Sequence, residues 1–215
     1  MRIALFIAAL FISAVTNAQS AFSLRFFGLT IHPMGDQTSK LQPYRIDENA
    51  YFVANFGAYA SIDKYFWFDR IAITFMQGAF MDCSGGKAGF THFGLRALAW
   101  ERGGHRFLIG AGPLFYYRES WNRFSDYTTS GFFRDYTSVN FGDVQYKLLP
   151  GVEIAWHWKI SEHIDLNVGI TPGGPVAIPI SAGVTWWPKR IAKKEIAGKF
   201  FIRKKRKTEG PGASG

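Results

Sequence analysis

Five side chains able to carry acyl-transfer chemistry, His32, Asp82, Ser84, Glu119 and Ser120, lie in or beside what read as the long connections of this chain. A hydrolytic set drawn from Ser120, His32 and Glu119 or Asp82 would use the hydroxyl as nucleophile, the imidazole as base and the carboxylate to orient the ring. The spacing works against it, because neighbours in a strand face opposite ways and Glu119 and Ser120 are adjacent. Metal chemistry has less to work with. His32, His92, His105, His157 and His163 show no short-range ligand spacing, and the single Cys83 offers neither a thiolate cluster nor an internal disulfide, so no metal, cofactor or disulfide framework is expected. Ser84-Gly85-Gly86-Lys87 lacks the first glycine of a phosphate-binding loop and a helix after it, and reads as an ordinary loop.

A second group of polar residues is more orderly. Arg70, His92, Arg96, Asp143, Lys147, Glu153, His157, Asp165 and Asn167 fall on one parity of segments whose other parity is apolar. His92, Gly94 and Arg96 alternate with Phe93, Leu95 and Ala97, and Lys147, Glu153 and His157 alternate with Leu148, Val152, Ile154, Trp156 and Trp158. A period of two is the signature of a strand; a helix would scatter these residues. The alternation continues through Pro150-Gly151, which predicts one long strand with a kink or bulge there. Opposite charges gathered on the inside of a closed sheet neutralise one another, because an unpaired ion there carries a large desolvation cost. The set is therefore expected to form a structural plug.

The elements that must hold these faces are eight strands. Besides 91–100 and 143–158, the segments 22–32, 50–62, 67–80, 105–118, 164–171 and 176–187 are β-rich and bounded by turn residues. The connections 33–48, 81–87, 119–140 and 172–175 fall at one end, and the shorter 63–66, 102–104 and 159–163 at the other. Mean hydropathy is -0.03, and past the leader no apolar run reaches the ~20 residues of a spanning helix, so any membrane crossing must use strands. Short turns at one end and longer loops at the other are what a membrane barrel shows. Aromatics gather at the strand ends, with Phe66, Trp67, Phe68, Trp156, Trp158, Trp186 and Trp187 on the short-turn side and Phe115, Tyr116, Tyr117, Trp121, Phe132 and Phe133 on the other. Eight strands enclose just enough room for side chains, so a wide pore is not expected.

The chain divides into an export signal at 1–18, a barrel at 19–188 and a basic, flexible tail at 189–215. Arg2, the apolar run from Ile3 to Val15 and Thr16-Asn17-Ala18 are the three parts of a cleaved leader. The tail carries +8 of the formal +9 charge, and the body is neutral, so no nucleic-acid partner is expected. In the tail, Ile196, Phe200 and Phe201 stand among lysines, a pattern suited to anionic lipid headgroups.

With its leader, eight alternating strands, unequal connections and terminal aromatics, the stretch 19–188 resembles the small bacterial outer-membrane β-barrels of the outer-membrane protein A and X type. The resemblance implies an all-β, closed, antiparallel eight-stranded up-and-down transmembrane barrel in a Gram-negative outer membrane, porin-like in architecture only. It implies lipopolysaccharide and outer-membrane lipid as surroundings and a non-enzymatic structural or surface-interaction role. The chain departs from the pattern by running on through 188–215 after its last strand. Some barrels of this shape are lipid A deacylases or acyltransferases with catalytic residues at the external rim, so an acyl hydrolase built on His32, Glu119 and Ser120 is the alternative. A secreted lipocalin-like barrel holding a lipophile is the second alternative, and it requires the apolar parity inside. A surface partner is expected through the loop 119–140, where Trp121, Arg123, Phe132, Phe133 and Arg134 combine aromatic and cationic side chains.

Overall fold

A computed structural model describes residues 19–36, 38–67, 69–125, 127, 138–170 and 177–189. The leader, the tail from 190 onward and Phe132, Phe133 and Arg134 lie outside the described residues. The strands are β1 (Gln19–Ile31), β2 (Phe52–Phe66), β3 (Ile71–Met81), β4 (Lys87–Arg102), β5 (His105–Glu119), β6 (Ser138–Phe141), β7 (Val144–Lys159), β8 (Ile164–Ile170) and β9 (Ile178–Trp186). Every ladder is antiparallel. β5 through β1 pair in sequence, β1 pairs with β9, the ladders continue through β8 to β7, and β7 pairs with β5, closing a ring of eight. No helix among the described residues is long and apolar enough to cross a membrane.

β6 is the strand that alternation did not reveal. It pairs Ser138–Phe141 with the start of β7 across a hairpin turn formed by Gly142 and Asp143, with Gly142 in the left-handed region at φ 57. Glycine enters that region without steric cost, which makes a two-residue turn possible. Asp143 is therefore a turn residue, exposed to solvent, and not the inward strand residue its parity predicted. Arg70 is corrected in the same way. β3 begins at Ile71, and the reversal before it holds Trp67 and Asp69 at positive φ, so Arg70 leaves the strand and is exposed.

The two faces separate cleanly. Outward positions carry Phe22, Leu24 and Phe26 on β1, Phe93 and Leu95 on β4, Val152, Ile154 and Trp156 on β7, Leu166 and Val168 on β8, and Val184 and Trp186 on β9, all exposed. The inward positions of the same strands hold Ser23, Arg25, His92, Arg96, Glu153, His157, Asp165, Asn167 and Thr185, all buried. A continuous apolar exterior around an ionic interior is stable against hydrocarbon and not against water, so this barrel spans a membrane. The same assignment rules out the lipocalin-like alternative, whose apolar parity must face inward. Toward the long-loop end the interior has an apolar layer of Phe27, Tyr59, Met76, Phe90 and Leu114, so the plug is layered and not polar throughout.

Three irregularities set local geometry, one of them a shift in the β4–β5 register between Leu98 and Trp100. At Gly28 the register shifts between Phe27 and Leu29 against both neighbours, and the inward side passes from Phe27 to Thr30. The long strand expected through Pro150-Gly151 forms, and no register shift marks it. The β5–β7 ladder runs unbroken from His105↔Trp158 to Glu119↔Val144, with Pro113 directly opposite Pro150. Each proline turns its missing N–H away from this ladder, so the cost falls on the far edges. On the β4 side the rungs opposite Phe93 and Gly94 are lost, and there the His92 ring bonds the Pro113 carbonyl at 3.0 Å.

Candidate functional site

The interior is the best-built polar site in the molecule, and strand alternation alone delivers its members. Arg96 on β4 donates from Nη2 to both Glu153 oxygens at 2.7 Å and from Nε at 2.9 Å, and its Nη1 bonds Asp63 on β2. Arg25 on β1 donates to Tyr59 Oη at 2.9 Å, to Glu153 Oε1 at 3.1 Å and to His157 Nε2 at 3.2 Å. An arginine can only donate, so His157 Nε2 is an acceptor and its proton sits on Nδ1, beside Thr185 at 3.5 Å and Asp165 at 3.8 Å. Thr74 donates to Asp63 at 2.6 Å. Four strands thus meet across the lumen through fully buried, mutually neutralising charges.

Toward the short turns, Asn167 donates to Thr185 at 2.8 Å, and Thr185 pairs with Ser23 at 2.8 Å. Below them the Trp187 indole donates to Asp165 at 2.8 Å, while the Arg106 guanidinium lies 4.9 Å from the Trp187 ring and 5.5 Å from that of Tyr65. Trp187 is fully buried, so it seals this end from within; it is not the membrane-interface aromatic that its place in the sequence suggested. Trp67 and Trp186 do lie outside, at 69% and 52% exposure.

At the opposite mouth Asp82 organises the loops. Its Oδ1 accepts from Ser84 N, Ser84 Oγ and Gly86 N at 2.9, 2.7 and 2.9 Å, and its Oδ2 accepts from the Trp121 indole at 2.6 Å. Trp121 is buried under Arg118, whose guanidinium lies 3.9 Å from the ring centroid. It is therefore part of the mouth and not a free contact residue. Arg118 also donates to Gln145 at 3.0 Å, and Lys147 donates to Ser138 at 3.1 Å.

The acyl-transfer set is not assembled. Ser120 Oγ accepts from Asn122 N at 3.2 Å as a cap, Glu119 pairs with Arg123 at 2.7 Å, and His32 Nε2 lies 3.7 Å from Cys83 Sγ. None of these contacts joins the hydroxyl to the imidazole. Burial and the nearby Asp82 and Asp36 charges push the Cys83 thiol up to about 12, which removes it as a nucleophile at neutral pH. Among the described residues no cluster of three metal-ligating side chains occurs.

Of the predicted interior set, His92, Arg96, Lys147, Glu153, His157, Asp165 and Asn167 are buried inside the barrel. Arg25, Asp63 and Thr185 are as central, and sequence reading missed them. The signal was present: Ser23 and Arg25 alternate with Phe22, Leu24 and Phe26, and Ser61 and Asp63 with Ala60 and Ile62.

No family model and no curated protein matches the chain. Among solved structures, the N-terminal β-barrel domain of Pseudomonas aeruginosa OprF aligns at 12% identity and TM-score 0.43 over 79% of this chain and 98% of that one. Neisserial surface protein A aligns at 10% and 0.43 over 78% and 95%, and a de novo designed transmembrane β-barrel at 9% and 0.44 over 79% and 94%. The closed ring of ladders and its two faces define the fold independently of these likenesses.

Proposed function

We propose that this chain is a bacterial outer-membrane β-barrel with a structural or surface-interaction role and no catalysis of its own. The observation that carries the reading is the ion-paired interior inside an apolar wall: charges that neutralise one another across four strands hold a barrel together and leave no group poised to react. The candidate nucleophile, base and acid at the long-loop end each have a different structural partner, which weighs against an acyl hydrolase. What remains at that end is surface. Glu119 and Arg123, at 34% and 45% side-chain exposure, offer a paired charge beside the buried Trp121, and the loop 119–140 that they open is the face for a surface partner or lipopolysaccharide. The short turns then face the periplasm, and residues 1–18 serve as the export signal.

Membrane fractionation with unheated and heated gel mobility tests the location. Recovery in the outer membrane with a heat-modifiable band is the expected result, and a soluble protein without a mobility shift overturns it. Mass spectrometry of lipid A from cells carrying the chain tests the absence of catalysis. An unchanged acyl pattern is expected, and loss or gain of an acyl chain that disappears on Ser120→Ala or His32→Gln would restore the hydrolase.

A further inference from the structure

The outer wall carries a second built feature, at the short-turn end. Trp100 on β4, Phe107 on β5 and Trp156 on β7 lie on one rung, with Trp100 opposite Phe107 and Phe107 opposite Trp156. Phe107 is half-buried while both tryptophans are exposed, so the three form an open groove of about 270 Å³ with an aromatic floor and two indole walls. That volume falls below the ~300 Å³ lower bound of pockets that enclose a drug-sized ligand, and suits a segment of one chain.

Chemistry changes in order along the barrel axis. One side of the groove continues onto the apolar wall through Ile109 and Ile154, both exposed. On the other side, Arg102 stands opposite His105, and His105 opposite Trp158, on the last rung before the turn. Arg102 is exposed, and alternation puts both the neighbouring Glu101 and Lys159, which shares the parity of His157, on the other face from Arg102. His105 is held in place by two indoles. Trp156 Nε1 donates to its Nδ1 at 3.1 Å, and its ring stacks on Trp158 at 5.9 Å. With Nδ1 accepting, Nε2 carries the ring proton and is a donor at the interface.

Apolar wall, aromatic groove, oriented N–H donor and guanidinium succeed one another as acyl chain, ester region and phosphate do in a phospholipid. We propose that this groove is a specific site for one anionic phospholipid of the leaflet that the short turns face. An acyl chain lies between Trp100 and Trp156 over Phe107, and the phosphate meets His105 Nε2–H and the Arg102 guanidinium. The proposal rests on the membrane-spanning reading of the barrel.

The test uses the full chain with phosphatidylglycerol and phosphatidylcholine as probes. Native mass spectrometry of the protein extracted from mixed vesicles reads which lipid stays bound. One phosphatidylglycerol should be retained in preference to phosphatidylcholine, and Arg102→Gln should lower that preference about tenfold. Lys40→Gln/Lys87→Gln, which removes two cations from the other end, should leave it intact. Trp100→Ala should reduce retention of both lipids, and each variant's heat-modifiable band reports that it has folded. A barrel that enters phosphatidylcholine vesicles but shows no preference, or keeps its preference in Arg102→Gln, overturns the site alone. A chain that enters no vesicle overturns the membrane reading and the site with it.

Discussion

Glu153 stands between two arginines from two different strands, with Arg96 Nη2 donating to it at 2.7 Å and Arg25 Nη1 at 3.1 Å. One carboxylate therefore couples β1, β4 and β7, and Asp63 extends the coupling to β2 through Arg96. Glu153→Gln leaves Arg25 without a carboxylate partner in a buried site. It should destabilise the barrel by about 3–5 kcal/mol, read as a lower urea midpoint in vesicles. Arg25→Met/Glu153→Met keeps Arg96 with Asp63 as a neutral pair, so it should cost less than the sum of its single changes, and additive losses would show that the two groups act separately.

The seam between β1 and β9 is tight at Gly183. A Cβ there would lie 2.0 Å from the Leu24 carbonyl oxygen and 2.6 Å from Arg25 Cα, both backbone atoms that cannot step aside. Gly183→Ala should cost about 1–3 kcal/mol and reduce the fraction running as a closed barrel on unheated gels. An unchanged fraction would mean that the seam is looser than its geometry.

Asp82 holds the β3–β4 connection and Trp121 together, and its charge helps keep the Cys83 thiol protonated. Maleimide labelling of Cys83 should be slow at neutral pH and rise through the alkaline range without levelling, because burial and Asp82 raise its pKa to about 12. Asp82→Ala should speed labelling at neutral pH several-fold by opening the loop and removing the charge. Equal rates would assign the protection to burial by other groups.

His32 is governed by the same mouth. Burial holds its pKa below the ordinary 6.5, with the Asp36 and Asp47 charges pulling the other way. The lowered value means that unfolded chain takes up the proton first, so the loop loses this contribution as pH falls through about 6.5 and keeps it above. The imidazole titration read by NMR should show a midpoint below that of a free histidine, and His32→Gln should flatten the acid loss of protease resistance in the loop. A normal midpoint would remove the burial argument.

The strands were legible because a barrel wall imposes a period of two on every residue, and hydrocarbon outside with ions inside makes the two parities chemically distinct. His92, Arg96 and Glu153 could be assigned to the interior from alternation alone. The misassignments lie where the wall ends. Arg70 and Asp143 continue the inward parity in sequence but sit in turns, where left-handed residues reverse the chain and parity no longer implies direction. Trp187 and Trp121 were misread for another reason: an aromatic at a strand end can face lipid or cap the lumen, and only the positions of Asp165 and Asp82 decide which. The acyl-transfer set failed because residue types carry no information about who their neighbours are. Ser120 serves as a cap and Glu119 as an ion-pair partner through contacts within four residues, a use that competes with any long-range triad.

Trp187 follows β9 and packs with Ala21 of β1 and Tyr65 of β2, its ring 5.2 Å from that of Tyr65, while Ser23 and Thr185, 162 residues apart, bond across the β1–β9 seam. The first and last strands of the ring meet only when everything between them is in place, and contacts of such sequence separation form late. Sealing of the short-turn end is therefore tied in time to joining of the chain's two ends. Until β9 docks on β1 the assembling wall is both open along one side and uncorked below, and the single event that completes the circle also ends the leak.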